Sequence, residues 1–424
     1  MKTKLTLILL ILTALLTQLI TNGPAIAATT NPQAPITTLL AHNPKLRHLW
    51  TDLGMAEPNP AKSQLFLPLI AGAAQAEVTD AGHKPAVWPE ARGYHRLVYS
   101  AEANRVFMVG GEAHSGWNDN LPGYGGLWSF DAGKRSWQKL HATIPFAADW
   151  VTYDEEHERI IAYVAFHPPT TPDGFPELVS ETWAYDVEKG EWENRHPLTH
   201  PPAGLLGGGS QMVYDSAAEK VIMFGGLDLF VLKQLIDTGN PDLLPALVTN
   251  NTWVYDYASN QWTNRQPTNP PPARNSHALV YDPENEHTLL FGGGDAFVDF
   301  ADTWAYDYAS NTWIALAPTN HPTARAYGYL AYDERANQVI LFGGVDYTEA
   351  AVYGDTWLYD PRTNRWTQPS PVNAPTPRGW YDMVYSPKAK GIVLFGGGRD
   401  RFSFTDEAWI YQTKANRWVQ VGKP

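Results

Sequence analysis

The repeat that organises this chain is clearest in residues 277–316, which read HALVYDPENEHTLLFGGGDAFVDFADTWAYDYASNTWIAL. Short runs of aliphatic and aromatic residues alternate with clusters of Gly, Pro, Asp and Asn, the residues that favour turns. The pattern predicts four antiparallel strands, over residues 277–281, 288–291, 303–308 and 312–316. Tight turns are expected at 282–285 and 309–311, where Asp, Pro, Ser and Asn supply the turn chemistry.

The same features recur six times. Each copy has two tryptophans nine residues apart: Trp128/Trp137, Trp183/Trp192, Trp253/Trp262, Trp304/Trp313, Trp357/Trp366 and Trp409/Trp418. A double glycine precedes five of the pairs, at 110–111, 225–226, 292–293, 343–344 and 396–397, whereas the second copy has Val164 and Ala165 there. A tyrosine lies further upstream in each copy: Tyr99, Tyr153, Tyr214, Tyr281, Tyr332 and Tyr385. We expect the glycines to lie where no side chain fits and the tryptophans to pack within and between repeats.

These residues resemble the Kelch motif, a double glycine, a tyrosine and a tryptophan pair in a repeat of about fifty residues. The resemblance covers Arg92 to Trp418. It implies an all-β fold, a six-bladed Kelch-type β-propeller with four antiparallel strands per blade and a central channel, over residues 91–424. The second blade, which lacks both glycines, is expected to be distorted. The related copper-radical oxidases need a cysteine, and this chain has none, so that activity is excluded.

The amino terminus has the features of an export signal. Lys2 and Lys4 precede an apolar run from Leu5 to Ile20, and Ala25-Ile26-Ala27 matches a signal-peptidase site. Cleavage after Ala27 predicts a secreted or cell-envelope protein, with an uncleaved membrane anchor as the alternative. Residues 28–90 are rich in Pro and Ala and are interpreted as a linker, with 65–70 as its one apolar stretch.

Charge and composition narrow the range of partners. The chain after Ala27 has 29 basic and 44 acidic residues, a net charge of −15, which argues against nucleic acid and anionic membranes. The absence of cysteine excludes disulfides, a lipid-modified cysteine and thiol chemistry. We expect no membrane span after cleavage, no cofactor and a monomer.

A partial ring of arginines is the strongest candidate site. Seven residues before the tyrosine, four repeats have an arginine and the other two have Phe146 and Gly207. In Kelch domains that bind acidic peptides, arginines at this position line the channel mouth, so the resemblance implies a ligand-binding rim. Arginine beside aromatic rings suits carboxylates and sugars. The alternative is that the arginines only pair with nearby acids. The candidate rim comprises Arg92, Tyr94, His95, Arg274, His277, Arg325, Tyr327, Arg378 and Trp380.

The loops between the second and third strands of each blade are long and variable. The first spans 112–126 and contributes Trp117 as a further candidate ligand contact. The third, 227–250, has the apolar content of a short helix over 229–236. We expect this helix to fold onto the propeller, with a lid or docking patch as the alternative.

Metal binding and catalysis have little support in the sequence. The recurring acids, such as Asp228, Asp295 and Asp346, suit turn capping, and no Asp-x-Asp ladder of a calcium loop is present. No metal site is therefore predicted. The favoured function is a binding module for a glycan or a protein segment. The alternatives are a carbohydrate-active enzyme using His114, Asp119, His95 and Asp149, or an adhesion protein that docks through residues 227–250.

Overall fold

The structure is a computed structural model that describes residues 88–111, 126–141, 150–167, 176–238, 240–295, 297–346, 351–400 and 403–422. The predicted signal peptide and most of the predicted linker lie outside these residues. The contacts of the ring begin inside that linker, because the Trp88 indole donates a hydrogen bond to the Asp406 carbonyl at 2.7 Å.

The described residues contain 26 strands, and 24 of them form six four-stranded antiparallel sheets. Blade 1 contains β1 (Arg96–Ser100), β2 (Arg105–Val109), β3 (Leu127–Asp131) and β4 (Ser136–Lys139). Blade 2 contains β5 (Trp150–Asp154), β6 (Arg159–His167), β7 (Glu177–Asp186) and β8 (Glu191–Asn194). Blade 3 contains β10 (Val213–Asp215), β11 (Lys220–Phe224), β13 (Thr252–Asp256) and β14 (Gln261–Asn264), while β9 (Leu205–Leu206) and β12 (Leu227–Asp228) pair separately.

The remaining blades follow the same order. Blade 4 contains β15 (Ala278–Asp282), β16 (His287–Phe291), β17 (Thr303–Asp307) and β18 (Thr312–Leu316). Blade 5 contains β19 (Tyr329–Asp333), β20 (Gln338–Asp346), β21 (Ala351–Asp360) and β22 (Arg365–Thr367). Blade 6 contains β23 (Gly379–Ser386), β24 (Gly391–Gly398), β25 (Ala408–Gln412) and β26 (Arg417–Val421). The six-bladed β-propeller is thus confirmed, and the predicted strands of blade 4 agree with the structure to within one residue at each end.

Among the described residues, the four strands of each blade follow one another along the chain, and no strand from elsewhere in these residues completes a blade. Successive strands pair in sequence order, because the turn residues between them favour tight reversals. Asp282 accepts a hydrogen bond from the Glu284 amide at 3.1 Å, and Asp307 accepts one from the Ala309 amide at 2.9 Å. These carboxylates cap the turns at the face of the ring opposite the double glycines.

The expected distortion of blade 2, which lacks both glycines, is not seen in its strand lengths or register, because both match those of blade 5. In blade 2, β6 and β7 have 9 and 10 residues, and their register shifts between Val164 and Phe166. In blade 5, β20 and β21 also have 9 and 10 residues, and their register shifts between Phe342 and Gly344, so this bulge does not depend on the absence of the glycines.

The double glycines are required because the next blade passes too close for a side chain. A Cβ on Gly292 would lie 2.5 Å from the Arg325 carbonyl oxygen of blade 5, and Gly292 has a φ of +67°. Gly225, Gly343 and Gly396 meet the carbonyls of Arg274, Arg378 and Arg92 in the same way, at 2.4–2.5 Å. The expectation that no side chain fits here is confirmed.

The tryptophan pairs fill the core between blades. The second tryptophan of every pair except that of blade 2 is buried on the outermost strand. Its ring can pack on the preceding blade, as Trp313 does on Phe224 with centroids 4.9 Å apart. In four blades its indole N–H donates to a threonine on the third strand of the preceding blade. This contact joins Trp262 to Thr182, Trp313 to Thr252, Trp366 to Thr303 and Trp418 to Thr356, over 2.8–3.2 Å.

The insertion in blade 3 forms a helix, α1 (Leu229–Thr238), followed by a 3₁₀ helix over Pro241–Ala246. Asp228 caps α1 by accepting hydrogen bonds from the amides of Phe230 and Val231. Leu229 and Leu235 are buried, so the predicted packing of a small helix on the propeller is confirmed, while Phe230 is 56% exposed. None of the helices in the described ranges is long and apolar enough to span a membrane.

Candidate binding face at the channel mouth

Three of the four predicted arginines are buried and form hydrogen bonds to a carboxylate of their own blade. Arg274 donates to both carboxylate oxygens of Asp302 at 2.6 and 2.8 Å and to the Gly292 carbonyl at 3.0 Å. Its remaining nitrogen, Nε, donates to the Pro272 carbonyl, and the guanidinium stacks 4.1 Å from the Phe300 ring. The arginine is fully buried and thereby ties the connection between blades to the double glycine of its own blade.

The same arrangement recurs in the next two blades. Arg325 donates to Asp355 at 2.6 Å and to the Gly343 carbonyl at 2.9 Å, and Arg378 donates to Glu407 at 2.6 Å and to the Gly396 carbonyl at 3.1 Å. Burial alone would raise the pKa of Asp302, but the Arg274 guanidinium outweighs it and holds that pKa below its usual value. These pairs are the arrangement expected if the arginines bond only to nearby acids; contact with a ligand stays a prediction.

Arg92 in blade 1 has a different environment. It donates to the Gly110 carbonyl at 3.1 Å like its equivalents, but Gly126 stands where the other blades have the paired acid. Burial lowers the pKa of Arg92 to about 10, with a smaller opposing effect of Glu90. The guanidinium lies 6.0 Å from the Trp128 ring.

Aromatic side chains gather at the channel mouth, two residues after the arginine position. The ring of Tyr327 lies 6.2 Å from that of Tyr94 and 5.2 Å from that of Trp380, and Phe404 lies 6.2 Å from Tyr94. Tyr94 and Tyr327 are half-buried, whereas Trp380 is buried. The structure therefore brings the three predicted aromatic residues together into one cluster, which we call the mouth cluster (Tyr94, Tyr327, Trp380 and Phe404).

The backbone of this cluster is strained. Tyr94, Tyr327 and Trp380 have φ values of +58°, +53° and +58°, the left-handed region that costs a bulky residue about 1–2 kcal/mol. In the described residues, these three are the only Tyr, Trp or Phe with positive φ. Blade 3 has Gly209 at the equivalent position, with φ of +98°, where no such penalty applies. Backbone bonds join the strained residues, since the Tyr94 amide donates to the Trp380 carbonyl at 3.0 Å.

The two predicted histidines lie directly below this layer and are buried. Burial lowers the pKa of both well below the usual value, helped by Arg274 at His277 and by Arg92 and Arg96 at His95. Both are therefore neutral at pH 7. Ser210 donates its only hydroxyl proton to the Gly207 carbonyl at 2.8 Å, so it accepts from His277 Nδ1 at 3.2 Å. This contact assigns the proton of His277 to Nδ1.

Below the histidines, polar side chains cross the channel. Asp382 accepts hydrogen bonds from the amides of Leu97 and Met383, each at 2.8 Å. Gln211 accepts from the amides of Leu279 and Leu330, each at 3.2 Å, and donates to Asp382 at 3.4 Å. Arg96 donates to the Ser210 carbonyl at 2.9 Å and to the Tyr329 hydroxyl at 3.4 Å. We call Arg96, Gln211, Tyr329 and Asp382 the channel plug.

The channel plug satisfies amides on the inner edges of the sheets, which would otherwise face an empty channel. Burial raises the pKa of Asp382 to about 6, against the opposing influence of Arg96 and the hydrogen bonds that it accepts. Sequence reasoning missed these residues. One sequence feature could have indicated them. The fourth residue after the arginine position is different in each of the six repeats, whereas the fifth is apolar in all of them.

Several predicted loop residues lie outside the described residues. These are Trp117 together with the enzyme candidates His114, Asp119 and Asp149. Of the recurring acids, Asp228 and Asp295 accept hydrogen bonds from amides two and three residues on, as expected for turn capping. Across the described ranges, no group of three or more His, Asp or Glu residues could hold a metal ion.

Known proteins with similar sequences share the repeat. The family model described as the KLHDC2/KLHL20/DRC7 Kelch-repeats domain matches residues 238–423, which contain the blades with complete arginine–acid pairs. The F-box/kelch-repeat protein At1g51550 of Arabidopsis thaliana is 26% identical over 56% of this chain and 50% of its own length. Kelch-like protein 25 of Xenopus tropicalis is 25% identical over 41% of this chain and 29% of its own length.

Two further matches are a much longer protein and a solved structure. Multiple epidermal growth factor-like domains protein 8 of Mus musculus is 26% identical over 58% of this chain but only 9% of its own length. The chain thus spans half or less of the length of these curated relatives. The solved structure of YjhT superposes with a TM-score of 0.58 at 15% identity, covering 79% of this chain and 99% of that one. The six four-stranded blades, the repeated glycine and tryptophan positions and these matches support the predicted resemblance to Kelch-repeat β-propellers.

Proposed function

We propose that this chain is an exported binding module that recognises a glycan or a protein segment on the face carrying the channel mouth. Kelch propellers act in general as binding modules, and the plugged channel limits a ligand to the surface above the plug. The export step rests on the predicted signal peptide. The binding face rests on the mouth cluster.

The observation that carries the proposal is the placement of aromatic rings in strained backbone. Glycine would adopt the left-handed conformation at 94, 327 and 380 without penalty, yet the chain has Tyr, Tyr and Trp there. Strain of this kind collects at ligand-binding sites, where a side chain is held in place for a partner. Half-buried tyrosine rings offer faces on which a sugar ring or an apolar side chain can stack.

In this proposal the arginines have two roles. Arg325 and Arg378 position the connections between blades that carry Tyr327 and Trp380, each two residues further on, and Arg274 holds the equivalent connection at Ser276. Arg92, together with His95 and His277, underlies the rim. Because three guanidinium groups already bond to carboxylates, we expect ligand affinity to depend on aromatic contact more than on ligand charge.

The test is a glycan and peptide array probed with the chain from Ala28 and with a Tyr94→Gly/Tyr327→Gly variant. Glycine removes the rings and relieves the strain, so the variant should keep or raise its thermal midpoint while losing binding. Asn337→Gly is the matched control, because Asn337 has a φ of +57° at a turn on the opposite face. Binding by the double variant at wild-type strength would overturn the proposal, as would loss of binding in the control.

A further inference from the structure

We propose that the propeller opens at one junction, the one between blades 6 and 1, which acts as a seam. The chain itself links consecutive blades within the ring, but blade 6 follows blade 1 only through space. In the described part of the chain, the contacts that hold this junction are non-covalent. They include the Trp88–Asp406 bond, a Gly397-to-Arg92 backbone bond of 2.9 Å and a Lys388–Asp131 ion pair of 2.8 Å.

The seam lacks a hydrogen bond that four other junctions have. Trp262, Trp313, Trp366 and Trp418 each donate to a threonine of the preceding blade. At the seam the donor is Trp137, and the acceptor position holds Ala408. The ring of Trp137 still packs on Phe395 at 5.1 Å, as its equivalents do, but its buried indole N–H has no hydrogen-bond partner within the described ranges. A buried donor without a partner weakens the contact that it makes.

At the other junction of blade 1, Leu127 occupies the threonine position, so the tryptophan–threonine bond of the later blades is not formed there. Blades 4, 5 and 6, in contrast, each combine an arginine–acid pair with the tryptophan–threonine bond at their junctions. The seam is therefore the edge at which blade 1 can separate from its neighbour without breaking the chain.

Opening the seam would disrupt the mouth cluster. Tyr94 belongs to blade 1, and it contacts the Trp380 carbonyl and the Phe404 ring of blade 6. A ligand that contacts Tyr94 and Trp380 together would hold the seam closed. This coupling rests on the proposed function, whereas the opening itself does not.

Hydrogen exchange measured by mass spectrometry on the full chain without ligand tests the seam. Equivalent backbone bonds of 2.9 Å cross four junctions, including those from Gly226 to Arg274, from Gly293 to Arg325, from Gly344 to Arg378 and from Gly397 to Arg92. The last three amides are the ones to compare. Each donor follows another glycine, so the intrinsic exchange rates are closely matched. We expect the Gly397 amide to exchange at least about fivefold faster than the other two, since one missing hydrogen bond is worth about that factor.

Two reciprocal variants separate the seam from global stability. Ala408→Thr supplies the missing acceptor and should slow exchange at Gly397 while leaving Gly293 unchanged. Thr303→Ala removes the acceptor of Trp366 and should speed exchange at Gly293. This variant tests the link between the tryptophan–threonine bond and exchange independently of Ala408→Thr, whose larger side chain must fit a buried site. Equal exchange of the three amides in the unmodified chain would overturn the inference. So would a Thr303→Ala variant that leaves Gly293 unchanged.

Discussion

Arg274 and Asp302 are joined by two parallel hydrogen bonds, of 2.6 Å between Nη1 and Oδ1 and of 2.8 Å between Nη2 and Oδ2. The arginine is fully buried, while the side chain of the aspartate is 33% exposed. The pair therefore joins a buried cation to a carboxylate at the surface of the ring, next to the channel mouth. If the carboxylate were removed, the buried guanidinium would lose two hydrogen bonds and its counter-ion.

Asp302→Ala should destabilise the fold by about 3 kcal/mol or more, because it leaves a buried guanidinium without its counter-ion. Urea denaturation of the purified chain measures the loss. An Arg274→Met/Asp302→Leu variant is the control and should lose less, since no charge is then left buried. A single variant no less stable than the double variant would show that the pair does not hold the blade.

Gly292→Ala should cost about 3 kcal/mol or more, the sum of left-handed strain and a clash with the Arg325 carbonyl. The thermal midpoint and the urea midpoint should both fall. Gly422→Ala is a matched control, because a Cβ there meets nothing within 4 Å. Equal stability of Gly292→Ala and Gly422→Ala would contradict the conclusion that blade 5 passes too close to Gly292 for a side chain.

Gln211→Leu should destabilise the ring by about 2–4 kcal/mol, because the amides of Leu279 and Leu330 lose their common acceptor inside the channel. The free energy of unfolding in urea is the quantity to compare. Gln138→Leu, on the exposed face of β4, makes the same chemical change at the surface and should be nearly neutral. Equal effects at the two sites would argue against a structural plug.

Asp382 should make stability rise as the pH falls. Its pKa is about 6 in the folded chain, against the ordinary value of 3.8 in the unfolded one, so between these pH values only the folded state binds the proton. As the pH falls through this range, this group alone increases the free energy of unfolding by at most about 1.4 kcal/mol per pH unit. Urea midpoints from pH 7.5 to pH 4.5 should therefore show a slope in the native chain that Asp382→Asn lacks.

Other carboxyl groups titrate in the same range, so the difference between the native chain and Asp382→Asn is the relevant measurement. Asp131 contributes little there, because the Lys388 ammonium holds its pKa at about 2. Two parallel pH profiles would mean that the Asp382 carboxyl is ionised as readily as in water.

Much of the architecture could be predicted from residues 277–316 and their five relatives. Strand and turn residues act locally, and the spacing between Trp304 and Trp313 fixes two neighbouring strands on one hairpin. The glycine requirement was also visible, since only a close approach explains Gly292 and Gly343 at equivalent positions. In contrast, the loop with Trp117 and the segment before Trp88 lie outside the described residues, so predictions there stay predictions.

The sequence by itself determined the repeat, the number of blades and the order of strands, because these follow from local turn chemistry and from a pattern copied six times. Only the tertiary structure decided what the side chains at the centre do. Leu97 and Asp382 are 285 positions apart in the chain, yet ring closure brings them within 2.8 Å. Likewise, the arginines meet acids 28 to 30 residues away, and Trp137 meets Ala408 instead of a threonine. These contacts depend on how blades face one another, and spacing within a single repeat carries no information about that.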